Sequence, residues 1–448
     1  MRESATIRVE QAVARLHETE PRVHAYVHTL ERQALHEARQ LDGEAVRGPL
    51  HGIPFAVKEV FDISGVETTG GSRALAGHVA EADAAAVQRL RDAGAVLMGT
   101  QVSHELTCGL DEPATRNPWN LDCYPGGSSA GAGVSVAVGS AWFALGTDAA
   151  GSVRIPAAMT GAVGFKPSMG AISKRGVIRE ASAPSIDNVG IVARNVALVA
   201  DVFDAIAFTD PGDAQTLLRR PNARDGEQHG EPRFQGKRVA VLGERTLAML
   251  NRIHECEPDV KSAFEGACEL LRAAGAELVS LELPTLAQAS GAVVTFFSRE
   301  LAFAHRDLLR NGETRYHPRI REMLAATLAL PSCALADAIA VRTRLSAEVE
   351  EGLSTVGAEV LLTPTTPRVA MPLAHFRPEA ELATLIPYTC GFNLTGNPAI
   401  SLPNGADRHG LPIGLQAIGR LYHDAALLRF SAALEHIGIR NIMKTPRV

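Results

Sequence analysis

Lysine is scarce in this chain, although positive charge is not. Only six of the 44 basic residues are lysines, and the others are arginines. Lys58 stands out among the six because the surrounding sequence, HGIPFAVKEV, is otherwise apolar. An arginine does not lose its proton in a protein, whereas a lysine removed from water does. Lys58 is therefore a candidate base.

An excess of positive charge is also missing. The formal net charge is −6, which gives no electrostatic reason to expect a nucleic acid or an anionic membrane as a partner. The N-terminal sequence MRESATIRVEQ has no apolar core of a signal peptide, so we expect a cytoplasmic protein. The six cysteines form no CxxC pair, which suits a reducing compartment. They are Cys108, Cys123, Cys256, Cys268, Cys333 and Cys390.

No long hydrophobic run is present either. The longest uncharged stretch, residues 130–147, is short for a membrane span and rich in Gly, Ser and Ala. A buried helix followed by a strand is the favoured interpretation.

The remaining pattern predicts an α/β protein. Residues 5–43 read as two helices separated near Pro21, and helices alternate with apolar strands along much of the chain. This alternation predicts a largely central, mixed β-sheet covered by helices on both faces. We expect one domain over residues 1–448, with a helical N-terminal region at 1–45 and a polar surface loop or linker at about 210–236.

Several common catalytic motifs are absent. No lysine follows a serine by three positions, as an SxxK pair requires, and no glycine-rich loop ends in GK[ST]. His104-Glu105 begins a zincin-like HExxH, but position 108 is cysteine. We therefore expect neither a metal nor a cofactor. Residues 127–131 match the GxSxG nucleophile elbow around Ser129, but the preceding residues read as a loop where an elbow needs a strand.

Two serine-bearing turns are the most informative feature. They lie around Ser128 and Ser152, 24 residues apart, in the segment 124–166, which is dominated by Gly, Ala and Ser. Small residues fill a core poorly but let a backbone approach another group closely. Ser128 and Ser152 are therefore candidates for activation by Lys58. The alternative from composition alone is that all three residues are ordinary turn and strand positions.

At these residues the chain resembles the amidase signature family. The shared motifs extend over nearly the whole length, and their order along more than 400 residues is more specific than any single motif. They are GIPFAVKEV with Lys58, Thr68–Ser72, Arg116–Trp119, PGGSSAG with Ser128, GTDAAGSVRIP with Ser152, Gly164–Ser168, Ser185–Asp187, Gly396–Ile400 and GLPIGLQAIG.

The resemblance implies a catalytic triad and its supports. Ser152 corresponds to the nucleophile, Ser128 to a bridging serine after a cis peptide bond, and Lys58 to the base. The backbone N–H groups of Ala149, Ala150, Gly151 and Ser152 correspond to the oxyanion hole. Asp148 and Arg154 are expected to pair and brace the nucleophile turn, and Ser129 to hydrogen-bond within the site or to pack.

The departures from the family pattern remove no reacting group. Ala150 replaces a glycine in GTDAAGS, Ala130 replaces the glycine after the two serines, and Glu59 replaces the aspartate after the catalytic lysine. The first change is harmless only if residue 150 does not need a positive φ angle.

The resemblance leaves the substrate open. We expect an amidohydrolase that cleaves a small amide, ureide or carbamate, with a small-molecule partner, no nucleic acid, no membrane and a homodimer as one possible assembly. The alternative is an A-type subunit of a glutamine-dependent tRNA amidotransferase, and a non-catalytic binding relative ranks third. Amidotransferase subunits of this type normally carry an acidic residue seven positions before the Asn of N-L-x-G. Here that position is Ile386, which points away from glutamine. The expected substrate pocket includes Thr107, Cys108, Arg175, Arg179 and Phe392.

Overall fold

The computed structural model describes residues 3–218, 234–312, 314–439, 446 and 448. The polar segment expected at about 210–236 lies mostly outside these residues. The described part contains fourteen α-helices and eleven β-strands. The helices are α1 Ala5–Val23, α2 Glu31–Asp42, α3 Ala85–Asp92, α4 Ala130–Val138, α5 Arg154–Thr160, α6 Val196–Ile206, α7 Glu244–Asn251, α8 Pro258–Ala273, α9 Ala289–Arg310, α10 Pro318–Leu328, α11 Cys333–Val356, α12 Pro378–Leu385, α13 Gly391–Leu394 and α14 Asp424–His436. The strands are β1 Tyr26–Thr29, β2 Pro54–Lys58, β3 Val96–Gln101, β4 Phe143–Asp148, β5 Val163–Lys166, β6 Asn188–Ala193, β7 Arg238–Leu242, β8 Glu277–Leu281, β9 Val360–Pro364, β10 Ala399–Ala406 and β11 Pro412–Gly419.

All eleven described strands belong to one mixed sheet, in the order β1-β3-β2-β4-β6-β5-β10-β11-β9-β7-β8. The pairs β2–β3, β2–β4, β7–β8 and β7–β9 are parallel, and the other neighbours are antiparallel. The predicted mixed α/β fold is therefore confirmed.

Alternation along the strands shows that both faces of the sheet are buried. In β2, Phe55 and Val57 join a cluster with residues of α3, α6 and α14, whereas Ala56 packs with α1 and α4 on the other face. In β4, Leu145 and Ala144 divide in the same way. Side chains of a strand point alternately to opposite faces, so each strand contributes to two cores.

The N-terminal region differs from its prediction in one respect. The first helix does not end near Pro21 but continues to Val23, and β1 separates it from the second helix. A proline removes only its own N–H donor, and here the helix ends two residues later, so little hydrogen bonding is lost. His24 closes the helix in a left-handed conformation, with φ of 50°.

The uncharged stretch 130–147 forms the buried helix α4 and most of the strand β4, as predicted. Among the described helices none alone is long and apolar enough to cross a membrane. Helices α10 and α11 meet that criterion only together, across a bend of 97°.

Strand order brings three chain segments to one edge of the sheet. Parallel β2 and β4 end there, at Lys58 and Asp148, and antiparallel β6 begins there, with Asn188 opposite Asp148. Helices α4 and α5 begin directly after the two serine turns. Lys58 and the two turns with Ser128 and Ser152, which the sequence motifs identify, therefore lie close together at this edge of the sheet.

Candidate active site

Lys58 occupies the last position of β2 and is fully buried. Its Nζ lies 2.8 Å from Ser128 Oγ and 3.0 Å from Thr147 Oγ1. Burial lowers the pKa of Lys58 to about 7, although the nearby carboxylates of Asp187 and Asp148 act in the opposite direction. A substantial fraction of Lys58 is consequently neutral near pH 7, in the form that accepts a proton.

The serine turn before α4 forms hydrogen bonds with the loop that contains His104 and with the turn that carries Ser152. The Gly127–Ser128 peptide bond is cis, and the Ser128 carbonyl accepts the His104 N–H at 3.2 Å. The Ser129 N–H donates to the Ser152 carbonyl at 3.2 Å, and Ser129 Oγ donates to the Thr147 carbonyl at 3.3 Å. Ser129 thus connects the two serine turns, while the Ser128 hydroxyl faces Lys58.

The turn that carries Ser152 is wrapped around the Asp148 carboxylate. Asp148 Oδ1 accepts the Gly151 N–H at 2.8 Å, and Oδ2 accepts the Val153 N–H at 3.1 Å. Gly151 has a φ of +128°, and a Cβ there would lie 2.5 Å from Thr389 Oγ1. This position therefore requires glycine.

Asp148 and Arg154 form a bidentate ion pair with both side chains fully buried. Arg154 Nη2 lies 2.8 Å from Asp148 Oδ1, and Nε lies 3.0 Å from Oδ2. Arg154 also donates to the Thr389 carbonyl and to the side-chain oxygens of Gln416 and Asn393. Burial alone would raise the pKa of Asp148, but Arg154 outweighs it and holds this pKa well below its usual range.

The backbone donors of the nucleophile turn are not equivalent. The Gly151 N–H is engaged by Asp148, whereas the described residues offer no acceptor to the N–H groups of Ala149, Ala150 and Ser152. Ala150 does not adopt a positive φ, so its methyl group is compatible with the turn. These three N–H groups are the ones left to meet negative charge on a substrate.

Glu59, the departure from the family pattern that directly follows Lys58, has a structural role. Its carboxylate accepts the Thr69 hydroxyl at 2.6 Å and the N–H groups of Thr69 and Gly71 at 3.2 Å. It therefore anchors the loop at 68–72 beside Lys58.

Ser128 and Ser152 line the same open cavity, which encloses about 950 Å³ of empty space when the solvent at its mouth is included. Most of the wall is apolar. Nine of the twenty described lining residues come from α9, α10 and the segment 376–386, and the others from residues 107–110, Tyr124 and the two serine turns with Ile155. The described lining contains no charged side chain. Its members are Thr107, Cys108, Gly109, Leu110, Tyr124, Gly127, Ser128, Ala149, Ala150, Ser152, Ile155, Val293, Val294, Phe297, Ser298, Met323, Phe376, Pro378, Leu385 and Ile386.

Of the five expected pocket residues, Thr107 and Cys108 line the cavity and the other three do not. Arg175 is directed instead toward Asp210, with its Nε 2.8 Å from Asp210 Oδ2. Arg179 lies over the Phe303 ring. Phe392 is fully buried in the core formed with α9 and α11. This corrects the pocket prediction, because the two arginines find partners elsewhere and the phenylalanine is enclosed.

Sequence reasoning missed several supporting residues. Thr147, Thr389, Asn393 and Gln416 contact Lys58, Arg154 or the nucleophile turn, although three of them lie more than 200 residues away in sequence. Asn393 belongs to the N-L-x-G motif, which is the one signal that could have identified it. Tyr124 and His104, which approach Ser128, stood out in the sequence only as the first residue of the segment 124–166 and as the start of an incomplete HExxH pattern.

Comparison with known proteins assigns the class. The model of the amidase family matches residues 8–428, and the chain therefore belongs to that family. A relative from Symbiobacterium thermophilum, named as the A-type subunit of glutamyl-tRNA(Gln) amidotransferase, is 35% identical over 473 aligned residues. The alignment covers 97% of this chain and 93% of the relative.

Solved structures lead to the same family. One, described as a vestigial protein complex that reveals the evolutionary origins of an s-triazine catabolic enzyme, superposes with a TM-score of 0.87 at 28% identity. The superposition covers 99% of this chain and 97% of the chain in that structure. A 6-aminohexanoate cyclic dimer hydrolase complexed with substrate gives a TM-score of 0.85 at 28% identity, covering 99% and 96%. The predicted family is confirmed, and its enzymes include amide hydrolases.

One prediction is wrong. A small-molecule amide as partner, with no nucleic acid, does not agree with relatives that align over nearly the whole chain and are named as subunits of a glutamyl-tRNA amidotransferase. The net charge of −6 was the basis for excluding nucleic acid. Net charge describes the field of one chain and carries no information about an assembly of several subunits.

Proposed function

We propose that this chain hydrolyses an amide bond through an acyl-enzyme on Ser152. The observation that carries the proposal is the 2.8 Å contact between the buried Lys58 Nζ and Ser128 Oγ, beside a cavity that Ser128 and Ser152 both line. A serine hydroxyl is a weak nucleophile and needs a positioned base. A buried lysine with a pKa of about 7 provides that base.

The reaction begins with two proton transfers. Neutral Lys58 accepts the Ser128 proton, Ser128 accepts the Ser152 proton, and Ser152 Oγ bonds to the amide carbon. The negative charge on the carbonyl oxygen meets the N–H groups of Ala149, Ala150 and Ser152. One such donor is commonly worth ~3–4 kcal/mol of barrier. Ser128 then returns a proton to the departing nitrogen, the C–N bond breaks, and water cleaves the ester by the reverse sequence.

For the particular reaction, the comparisons favour an A-type subunit of a glutamine-dependent amidotransferase over stand-alone hydrolysis. The support is 35% identity to such a protein over 97% of this chain. In this role the amide is the side chain of glutamine, and the released ammonia goes to an acyl group bound to tRNA. Partner subunits are then part of the active assembly.

The cavity favours a second candidate, an amide whose acyl part is apolar. Glutamine carries an ammonium and a carboxylate, and burying either charge without a partner is costly. The described lining offers no charged side chain, and Ile386 occupies the wall at the position where an acidic residue is expected for glutamine. Hydrophobic contacts with Val293 and Phe297 suit an alkyl or aryl group instead.

An ammonia-release assay tests the proposal and separates the two candidates. Wild-type protein is incubated with glutamine, hexanamide and phenylacetamide, with Ser152→Ala as the blank. Glutamine turnover that rises with added amidotransferase subunits and glutamyl-tRNA supports the first candidate. Preferred turnover of the apolar amides supports the second. Release that persists undiminished in Ser152→Ala contradicts the acyl-enzyme.

A pair of variants at Ile386 sharpens the comparison. Ile386→Asp supplies a partner for an ammonium group, and Ile386→Asn has nearly the same shape without the charge. If the wall selects the acyl group, only the aspartate variant raises kcat/KM for glutamine relative to hexanamide. Equal behaviour of the two variants shows that this position does not select by charge.

A further inference from the structure

A chain of polar groups leads from the partly buried Asp111 through the buried His104 to the cavity wall beside Ser128. Asp111 Oδ1 lies 3.0 Å from His104 Nδ1, and His104 Nε2 lies 3.0 Å from the Tyr124 hydroxyl. The His104 side chain has no exposed surface. Tyr124 lines the cavity together with Ser128 and Ser152.

The proton positions in this chain follow from the chemistry of its members. Burial raises the pKa of Asp111, but His104 and the Glu105 N–H outweigh it, and the net pKa lies below the usual value. An ionised carboxylate only accepts hydrogen bonds, so His104 Nδ1 carries a proton and donates to Asp111. In the tautomer of the ring that carries this single proton, Nε2 has none. Nε2 is then an acceptor, and the Tyr124 hydroxyl donates to it. In this arrangement the Tyr124 oxygen acts as an acceptor toward any further donor at the cavity wall.

The tyrosine is held against the peptide that precedes Ser128. A Cβ on Gly127 would lie 2.4 Å from His104 Nε2 and 2.6 Å from the Tyr124 oxygen, so residue 127 has no room for a side chain. The Tyr124 ring stacks on Phe376 with 4.5 Å between ring centroids. The backbone N–H of His104 also donates to the Ser128 carbonyl. The tyrosine oxygen is therefore fixed next to the serine that returns a proton to the leaving nitrogen.

We infer that the Tyr124 oxygen accepts a hydrogen bond from the N–H of the substrate amide, and that His104 and Asp111 are positioning residues for it. The inference rests on the proposed amide hydrolysis. An amide N–H loses its water on entering this largely apolar cavity, and leaving such a donor unpaired costs free energy. A hydrogen bond from the nitrogen to Tyr124 orients the amide for protonation by Ser128. Tyr124 keeps its own proton on the bond to His104 throughout the step.

Tyr124→Phe tests the inference because it removes the hydroxyl and retains the ring that stacks on Phe376. The measurement is kcat/KM for an amide and for the methyl ester of the same acid, using whichever acid the wild-type enzyme prefers. An ester has no N–H to donate. We expect a fall of roughly tenfold or more for the amide and little change for the ester.

Two further variants complete the test. Tyr26→Phe is the matched control, since it removes a buried tyrosine hydroxyl that contacts Ser140 in a different core, and it should leave the amide-to-ester ratio unchanged. His104→Gln replaces the ring that fixes Tyr124 and should lower the ratio by a smaller factor.

The outcomes separate this inference from the proposed function. An equal loss on amide and ester in Tyr124→Phe, or no loss on either, overturns the role of Tyr124 while leaving Ser152 chemistry intact. If the wild-type enzyme cleaves the ester but no amide, the proposed function fails, and this inference fails with it.

Discussion

The two sides of the cavity differ in the polarity of their residues. The side formed by the ends of β2 and β4 and the turns before α4 and α5 is polar, buried and densely hydrogen-bonded. The opposite side, formed by α9, α10 and the segment 376–386, is mainly apolar, and Val294 on it is about half exposed. The first side holds reacting groups in fixed positions, and the second offers surface for a substrate.

This difference separates reaction from recognition. A buried polar network tolerates few changes, because each lost partner leaves another group unsatisfied in a medium of low polarity. An apolar wall tolerates substitution by residues of similar volume. We therefore expect changes on the polar side to affect kcat or folding, and changes on the apolar side to affect substrate choice.

The largest effect is expected for loss of the reacting groups. Ser152→Ala removes the nucleophile and Lys58→Ala removes the base, so kcat should fall by roughly 10⁴-fold or more in each case. Steady-state kinetics on the preferred amide provide the measurement. Ser140→Ala serves as a control, because it removes a buried hydroxyl outside the cavity. Retention of more than a few per cent of activity in Ser152→Ala would show that Ser152 is not the nucleophile.

Loss of the buried ion pair between Asp148 and Arg154 should lower the free energy of unfolding more than loss of an exposed ion pair. Asp148→Asn leaves the Arg154 guanidinium buried without its counter-charge, which typically costs ~3–5 kcal/mol of the free energy of unfolding. Denaturant unfolding provides the measurement. The control is Arg238→Met, which breaks an ion pair with Glu277 whose two side chains are about half exposed, and should cost less than ~1 kcal/mol. Similar losses in the two variants would contradict the contrast between buried and exposed pairs.

The polar side should also set the pH dependence. Because the pKa of Lys58 is about 7, kcat/KM should fall as the pH drops below 7 and the base becomes protonated. Asp187 is buried beside this site, and its negative charge favours the protonated lysine. Asp187→Asn should lower the Lys58 pKa and move the acidic limb of the profile to lower pH.

A smaller change tests the same relation with less disturbance. The Ser182 hydroxyl donates to Asp187 Oδ2 at 3.0 Å and favours its charged form. Ser182→Ala should therefore move the limb in the same direction by a smaller amount. A limb that stays in place or moves to higher pH in Asp187→Asn would show that Asp187 does not act on Lys58.

The smallest effect is expected on the apolar side. Phe297→Leu reduces the ring surface at the wall without creating a large void, and should raise KM for phenylacetamide by roughly tenfold or less while kcat changes little. The comparison of KM and kcat in this variant and in Lys58→Ala tests the division directly. A large fall in kcat with constant KM in Phe297→Leu would show that Phe297 contributes to the chemical step and not to substrate binding.

Sequence patterns predicted the polar side better than the apolar one. Ser128 and Ser152 lie in turns whose small residues fill a core poorly, Lys58 lies in an apolar stretch where a charge is unexpected, and the structure brings the three residues to one site. The wall residues Val293 and Phe297 lie on α9 among apolar positions that look like core.

Charge and distance explain the remaining errors. Arg175 and Arg179 were expected in the pocket because they follow the motif Gly164–Ser168 and could meet a carboxylate, but Asp210 and Phe303 are partners that sequence spacing does not reveal. Asn393 and Gln416 reach Arg154 because α5, which begins at Arg154, packs against β11, and because α13 lies beside the nucleophile turn. Similarly, the contact of His104 with Tyr124 depends on a loop conformation that no periodic pattern encodes.

The most direct test of the central claim is to identify the acylated residue. Wild-type enzyme is quenched during turnover of an activated ester of the preferred acid, and the adduct is located by fragmentation mass spectrometry of the peptide 117–154, which contains all three serines of the two turns. The account predicts an acyl group on Ser152 that is absent in Ser152→Ala. An acyl group on Ser128 or Ser129, or turnover without any adduct on Ser152, would contradict it.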